Sequence, residues 1–112
     1  MQRRKSDPKI SEYRLTAAIA EKRIRSLALT SDKVAWSHHA LERMVEREIF
    51  DVDVLRVLRT GTIAGEPELT PHGEWKCKMV RPIRGSREVG VITILLKTSR
   101  LLIKTVEWED LA

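Results

Sequence analysis

One predicted amphipathic helix organises this chain: Ser37-His38-His39-Ala40-Leu41-Glu42-Arg43-Met44-Val45-Glu46-Arg47-Glu48-Ile49. Its hydrophobic residues recur every three or four positions and predict an apolar stripe made of Leu41, Met44, Val45 and Ile49. Ser37 is the predicted N-cap, because its hydroxyl can accept a hydrogen bond from an otherwise unpaired backbone N–H. The stretch therefore predicts a helix that begins after Ser37 and packs through one side.

A cationic row lies along another side of the same helix. His39, Arg43 and Arg47 recur every four residues, so their side chains line up. Arginines at this spacing repel by roughly 0.2–0.5 kcal/mol, which Glu46 offsets in part. An imidazole beside two guanidiniums suits a phosphodiester, which is an anion. Two alternatives stay open: the row is a solvated face, or Arg47 forms a salt bridge that locks the helix to the sheet.

Length and composition favour a single globular domain with an acidic partner. The chain has 112 residues, of which 42% are hydrophobic and 33% charged, with a net charge of +5. We expect a flexible basic arm over residues 1–10 and one domain over residues 11–112. The charge favours RNA, DNA or an acidic protein. Cys77 is the single cysteine, so no internal disulfide forms and a reducing, cytoplasmic location is expected. No secretory signal and no apolar run of membrane-spanning length is present in the sequence.

Two further helices are predicted on either side of the central one. The first covers residues 11–29, and a short apolar lead-in, residues 34–36, joins it to the central helix. The second covers residues 52–60, with Asp51 as N-cap and Gly61 as a left-handed stop. Both have the apolar spacing of helices that pack on a core.

The C-terminal half of the chain has the pattern of β-strands. Predicted strands cover residues 62–64, 75–81, 89–96 and 101–108. Pro82 should end the second of these, because proline cannot donate to a sheet. The sequence therefore predicts an α+β fold in which two or three N-terminal helices pack on one face of a three- to four-stranded antiparallel sheet.

Alternation along the strands predicts which side chains lie opposite the helices. Trp75, Cys77 and Met79 point one way, and Lys76 and Lys78 the other. In the last strand, alternation assigns one face to Leu101, Ile103, Thr105 and Glu107. It assigns the other face to Leu102, Lys104, Val106 and Trp108. The face without helices should be a shallow groove lined by lysines and a threonine.

The chain resembles a known family. The resemblance rests on the motif Ser37-x-His39-Ala40-x-x-Arg43-Met44-x-x-Arg47-x-Ile49, followed by Asp51-Val52, Gly61 and a closing Ile103-x-Thr105-Val106-x-Trp108. It comprises short bacterial and phage proteins catalogued as a domain of unknown function. The family is grouped with the barnase–EndoU–colicin–RelE ribonuclease fold, which includes RelE/ParE-type toxins. Where the family commonly has glycine after the second arginine, this chain has Glu48.

The resemblance implies a toxin-like, metal-independent endoribonuclease without a cofactor. Its implied partners are RNA, including ribosome-associated mRNA, and a cognate antitoxin protein. Such enzymes use the ribose 2′-OH as nucleophile. We expect His39 to transfer a proton, because its pKa is ordinarily near neutrality. Arg43, Arg47 and Lys78 are the candidates for phosphate stabilisation, and Thr105 for a hydrogen bond to a phosphate oxygen.

Two other classes of function compete with this hypothesis. The same basic groove can bind a nucleic acid or an acidic protein without cleaving anything. A zinc site from His38, His39, His72 and Cys77 is disfavoured, because adjacent helical histidines diverge and no paired-ligand spacing is present. Cys77 is expected to be buried beside Trp75 and Met79, which disfavours it as a nucleophile.

Overall fold

A computed structural model describes residues 14–110 and confirms the α+β prediction. The helices are α1 (Ala17–Ala28), α2 (His38–Arg47) and α3 (Asp51–Thr60). The strands are β1 (Val34–Trp36), β2 (Thr62–Ile63), β3 (Glu68–Leu69), β4 (Trp75–Arg84), β5 (Arg87–Leu95) and β6 (Leu101–Trp108). The predicted arm, residues 1–10, lies outside the described residues. No helix within residues 14–110 is long and apolar enough to cross a membrane.

The sheet is mixed and has more strands than the sequence predicts. Its order is β1-β6-β5-β4-β2, and β3 also pairs with β4. The predicted lead-in, residues 34–36, is strand β1 and pairs in parallel with Leu101–Ile103, whereas the other pairings are antiparallel. The predicted strand over residues 62–64 corresponds to β2, whereas β1 and β3 are too short for alternation to predict them.

Gly61 ends α3, but not by the left-handed conformation that the sequence suggests. Its backbone is extended, with φ −79° and ψ −176°. A Cβ at this position would lie 2.6 Å from the carbonyl oxygen of Val80 in β4. Glycine is therefore required here because β4 approaches closely. The sequence predicts correctly that the helix ends at Gly61, but the predicted left-handed conformation is wrong.

The core lies between β4, β5 and β6 on one side and α1 and α3 on the other. Its fully buried side chains include Ile24, Ile49, Val54, Val57, Leu58, Met79, Val89, Val91, Leu101, Ile103 and Val106. Pro82 does not end β4, contrary to the prediction. The strand continues to Arg84 through a register shift between Pro82 and Arg84, which accommodates the missing donor.

The predicted apolar stripe of α2 is only partly buried. Ile49, just after the helix, is 1% exposed, but Leu41 is 46% and Val45 is 80% exposed. The fully buried residue of α2 is Ala40. A small side chain there lets the helix approach β6 closely, so the buried side is displaced from the stripe of large apolar residues.

Candidate active site

A β-bulge in β6 decides which side chains reach the open face, meaning the face of the sheet opposite α1 and α3. Ile92 pairs with Thr105, but Thr93 pairs with Ile103, so Lys104 is an extra residue. The insertion reverses the alternation, and the predicted faces of β6 are therefore wrong. Val106 is buried on the helix side, as Ile103 is, whereas Thr105 lies on the open face.

Lys78 and Thr105 occupy one row across the open face. Lys78 of β4 pairs with Ile92 of β5, which pairs in turn with Thr105 of β6. Glu107 follows on the same face and pairs with Gly90 in β5. The structure thus brings together two predicted site residues and adds a carboxylate beside them.

Lys78 is held between two carboxylates. Its Nζ lies 2.9 Å from Oε2 of Glu107 and 2.7 Å from Oε1 of Glu109. Gly90 makes the space for this trio, because a Cβ there would collide with Oε2 of Glu109 and lie 2.9 Å from Cε of Lys78. One ammonium between two carboxylates is not a free cation, so Lys78 in this arrangement orients acidic groups.

The ion pairs move the pKa values of two members of the trio. The hydrogen bond from Lys78 lowers the pKa of Glu107 below its usual value against the effect of burial, and the charge of Arg47 acts in the same direction. Burial alone lowers the pKa of Lys78. The hydrogen bonds to Glu109 and Glu107 together outweigh burial, and the pKa is raised. Glu107 is therefore a carboxylate at neutral pH.

Helix α2 lies along β6 beyond the point where β1 ends. At its start, the Ser37 hydroxyl accepts from the N–H of Ala40 at 3.0 Å and donates to the carbonyl of Lys104 at 3.1 Å. The predicted N-cap is therefore confirmed, and it also contacts the bulge. At the other end, Nη1 of Arg47 donates to the carbonyl of Val106 at 2.7 Å. Arg47 thus locks the helix to β6, through a backbone carbonyl rather than a salt bridge.

The cationic flank, defined as His39, Arg43 and Arg47, lies on the side of α2 opposite Met44. Met44, on the other flank of α2, packs against the core on the helix side of the sheet. Arg47 acts electrostatically on Glu107, whose side chain is on the open face. Because the two flanks of a helix diverge, Arg43 and His39 lie away from the core that Met44 contacts.

Two members of the cationic flank differ in how firmly they are held. Arg43 is half-buried and its Nη1 lies 2.6 Å from Oε1 of Glu46. His39 is exposed, and within residues 14–110 it forms no hydrogen bond or ion pair. The neighbouring His38 instead pairs with Glu42, with Nε2 3.1 Å from Oε2.

Cys77 is buried on the helix side of β4. Burial raises the pKa of its thiol to about 11, so it is protonated at neutral pH and is a poor nucleophile. In the described part of the chain, no three His, Cys, Asp or Glu side chains are grouped closely enough to hold a metal ion.

Glu107 and Glu109 are site residues that the sequence analysis did not select. Strand alternation predicts that Glu107 shares a face with Thr105, and this is the signal in the sequence that points to Glu107 as a site residue. Glu109 follows the last strand, where alternation has no meaning. Its Oε2 is buried without a hydrogen-bond partner among the described residues. Neither contact to Lys78 can be derived without the register of β4, β5 and β6.

Comparison with known proteins shows one family. No curated protein and no solved structure matches the chain. The family model of a domain of unknown function, DUF4258, matches residues 36–108. The match begins at the end of β1, covers α2 with its cationic flank, and ends at Trp108, the last residue of β6. It covers most of the chain, which therefore belongs to the DUF4258 family.

Proposed function

We propose that this protein is a toxin-like, metal-independent endoribonuclease of the RelE/barnase-like fold group. The observation that supports this most directly is that Lys78, Thr105 and Glu107 share the open face, while Arg47 of α2 bonds to Val106, the residue between Thr105 and Glu107. In this proposal the guanidinium groups of α2, the His39 imidazole, the Thr105 hydroxyl and the Glu107 carboxylate act on one bound phosphodiester. These groups suffice for phosphodiester cleavage by the ribose 2′-OH.

The proposed reaction divides the two proton transfers between Glu107 and His39. The Glu107 carboxylate accepts the proton of the 2′-OH, and the 2′-oxygen attacks phosphorus. The bond from phosphorus to the 5′-oxygen breaks, and this oxygen takes a proton from the His39 imidazolium. The products are a 2′,3′-cyclic phosphate and a free 5′-hydroxyl, so atoms and charge balance.

The remaining groups stabilise the pentavalent phosphorane. Arg43 and Arg47 supply positive charge, and Arg47 keeps donors beyond the Nη1 bonded to Val106. The Thr105 hydroxyl donates to a phosphate oxygen. Lys78 acts indirectly, because its two carboxylate partners neutralise it and it holds Glu107 in place.

The proposal also covers the substrate, the protein partner and the cellular location. The substrate is RNA, with ribosome-associated mRNA as one form, and a cognate antitoxin protein is the expected inhibitor. The net charge of +5 favours both an RNA and an acidic inhibitor. The free thiol of Cys77 is compatible with a cytoplasmic location.

The test is cleavage of a mixed RNA substrate in EDTA by the wild type and three variants. We expect His39→Ala and Glu107→Gln to lose about a hundredfold or more in rate. His38→Ala is the matched control, because it removes the adjacent exposed imidazole and should retain activity. Wild-type products should carry 2′,3′-cyclic phosphates. Equal rates for folded His39→Ala and wild type, with and without ribosomes, would refute the assignment.

The alternative is a basic module that binds nucleic acid or protein without catalysis. It is favoured by His39, which has no partner in the described residues to fix its tautomer, whereas catalytic histidines are commonly oriented by a third group. Salt-dependent RNA retention that Arg43→Ala weakens, with no turnover by any variant, would support this alternative.

A further inference from the structure

An exposed apolar groove lies on the flank of α2 opposite the cationic one. Four of the seven large hydrophobic residues exposed in the described part of the chain fall between positions 41 and 52: Leu41, Val45, Phe50 and Val52. Their exposed fractions are 46%, 80%, 58% and 65%. Apolar side chains concentrated in this way mark interaction surfaces more often than scattered ones do.

The groove runs from α2 to the start of α3. Its volume is about 510 Å³, and it is lined by Leu41, Met44, Val45, Glu48, Ile49, Phe50 and Asp51. Its floor, formed by Met44 and Ile49, is continuous with the core. The groove is therefore a shaped surface supported by packed residues.

Its rim is acidic in a protein that is basic overall. Glu48 and Asp51 line the groove, and neither forms an ion pair with another residue of the described chain. Arg84 lies at the same end of the groove, over the Phe50 ring at 5.0 Å, but its charge is paired with Asp53 at 3.0 Å. It donates to the backbone carbonyl of Glu48 at 3.0 Å and not to the carboxylate. Two carboxylates are thus left to face a ligand.

Glu48 occupies its position at a conformational cost. It terminates α2 in the left-handed region, with φ 55° and ψ 45°, where glycine fits without strain. The carboxylate at the groove is therefore not required by the backbone, which would be better served by glycine.

We propose that the groove binds an amphipathic basic helix of a partner protein, with apolar side chains between α2 and α3 and a lysine or arginine on Glu48 and Asp51. The groove is lined by residues of α2, of the α2–α3 connection and of the start of α3, and by no strand edge, which favours a helix over an added strand. A second copy of this chain would place the same carboxylates against each other. Phosphates of nucleic acid would be repelled by the rim. This proposal does not rest on the ribonuclease.

The test measures binding of labelled model peptides to the full-length protein by fluorescence anisotropy. One helical peptide carries leucines flanked by lysines, and its counterpart carries glutamates in place of the lysines. We expect only the lysine peptide to bind, although the protein's net charge of +5 repels it. Val45→Glu should weaken binding about tenfold or more, and Glu48→Gln or Asp51→Asn about threefold or more.

The control variant is Leu69→Glu, which charges a comparably exposed apolar residue, 61% exposed, on β3 outside the groove. It should bind the lysine peptide as the wild type does. The proposal is overturned if neither peptide binds at millimolar concentration, if both bind equally, or if Val45→Glu and Leu69→Glu behave alike. Reversible dimerisation that Val45→Glu abolishes would assign the groove to a second copy instead.

Discussion

The two flanks of α2 differ in how their side chains are used. On the cationic flank, Arg47 is bonded to the β6 backbone and holds the helix in place, whereas Arg43 pairs with Glu46 of the same helix. On the apolar flank, Leu41 and Val45 are exposed. Polar groups can thus fix a helix against a sheet edge, since they satisfy carbonyls there, while large apolar groups remain available for binding.

Adjacent residues of α2 should respond in opposite ways to a change of size. Ala40→Leu inserts a large side chain where α2 meets β6, and overpacking of this kind costs roughly 1–3 kcal/mol. Leu41→Ala removes a partly exposed side chain and should change stability by only about 0.5 kcal/mol. Urea unfolding measures both. A larger loss for Leu41→Ala would mean that the apolar flank is the buried one.

The two arginines of the cationic flank should also differ in how much each contributes to stability. Arg47→Ala leaves the Val106 carbonyl without its donor, which costs about 1–3 kcal/mol. Arg43→Ala breaks a pair whose Glu46 side chain is 57% exposed, and such surface pairs are worth about 0–1 kcal/mol. Thermal unfolding of the two variants in the same buffer tests the order, and equal losses would remove the structural role assigned to Arg47.

How much of this arrangement can be predicted from the sequence depends on the range of the interactions. The helix, its Ser37 cap and the direction of Lys78 follow from local periodicity and capping chemistry, and all three are confirmed. Periodicity identifies the flanks of α2 but not which flank meets a neighbour. The choice is made by the close approach of β6 to Ala40, which is a tertiary contact.

On the open face, too, local periodicity does not predict the tertiary contacts. The bulge at Lys104 inserts one residue without any mark in composition, yet it reverses every later side chain of β6 relative to Ile103. The carboxylate partners of Lys78 depend on the register of three strands, so the sequence offered Lys78 as a free cation. Local chemistry predicts the cationic and hydroxyl residues proposed for the candidate site, but it predicts neither its two glutamates nor their pairing with Lys78.

The Lys78 trio makes a pH-dependent contribution to stability. The pKa of Glu107 is lowered in the folded state, so its contribution is present above its unfolded pKa and is lost as pH falls through the folded value. We expect the difference in Tm between wild type and Glu107→Gln to shrink on acidification. Glu46→Gln is the control and should change Tm little, because it removes an exposed surface ion pair. A constant difference for Glu107→Gln would contradict the ion pair.

The smallest expected effect concerns Glu48, which terminates α2 at the groove. Glu48→Gly relieves a left-handed residue and should stabilise the protein by about 0.5–1 kcal/mol, net of the greater freedom of the unfolded chain. Glu48→Gln keeps a side chain at the same backbone angles, so it should leave stability nearly unchanged. Urea midpoints distinguish the two variants. One outcome is that Glu48→Gly gains stability and both variants lose affinity for the lysine peptide. The Glu48 carboxylate then contributes to peptide binding and lowers the stability of the fold. If glycine stabilises and peptide affinity is untouched, the left-handed glutamate has no part in the groove, and the acidic rim is reduced to Asp51.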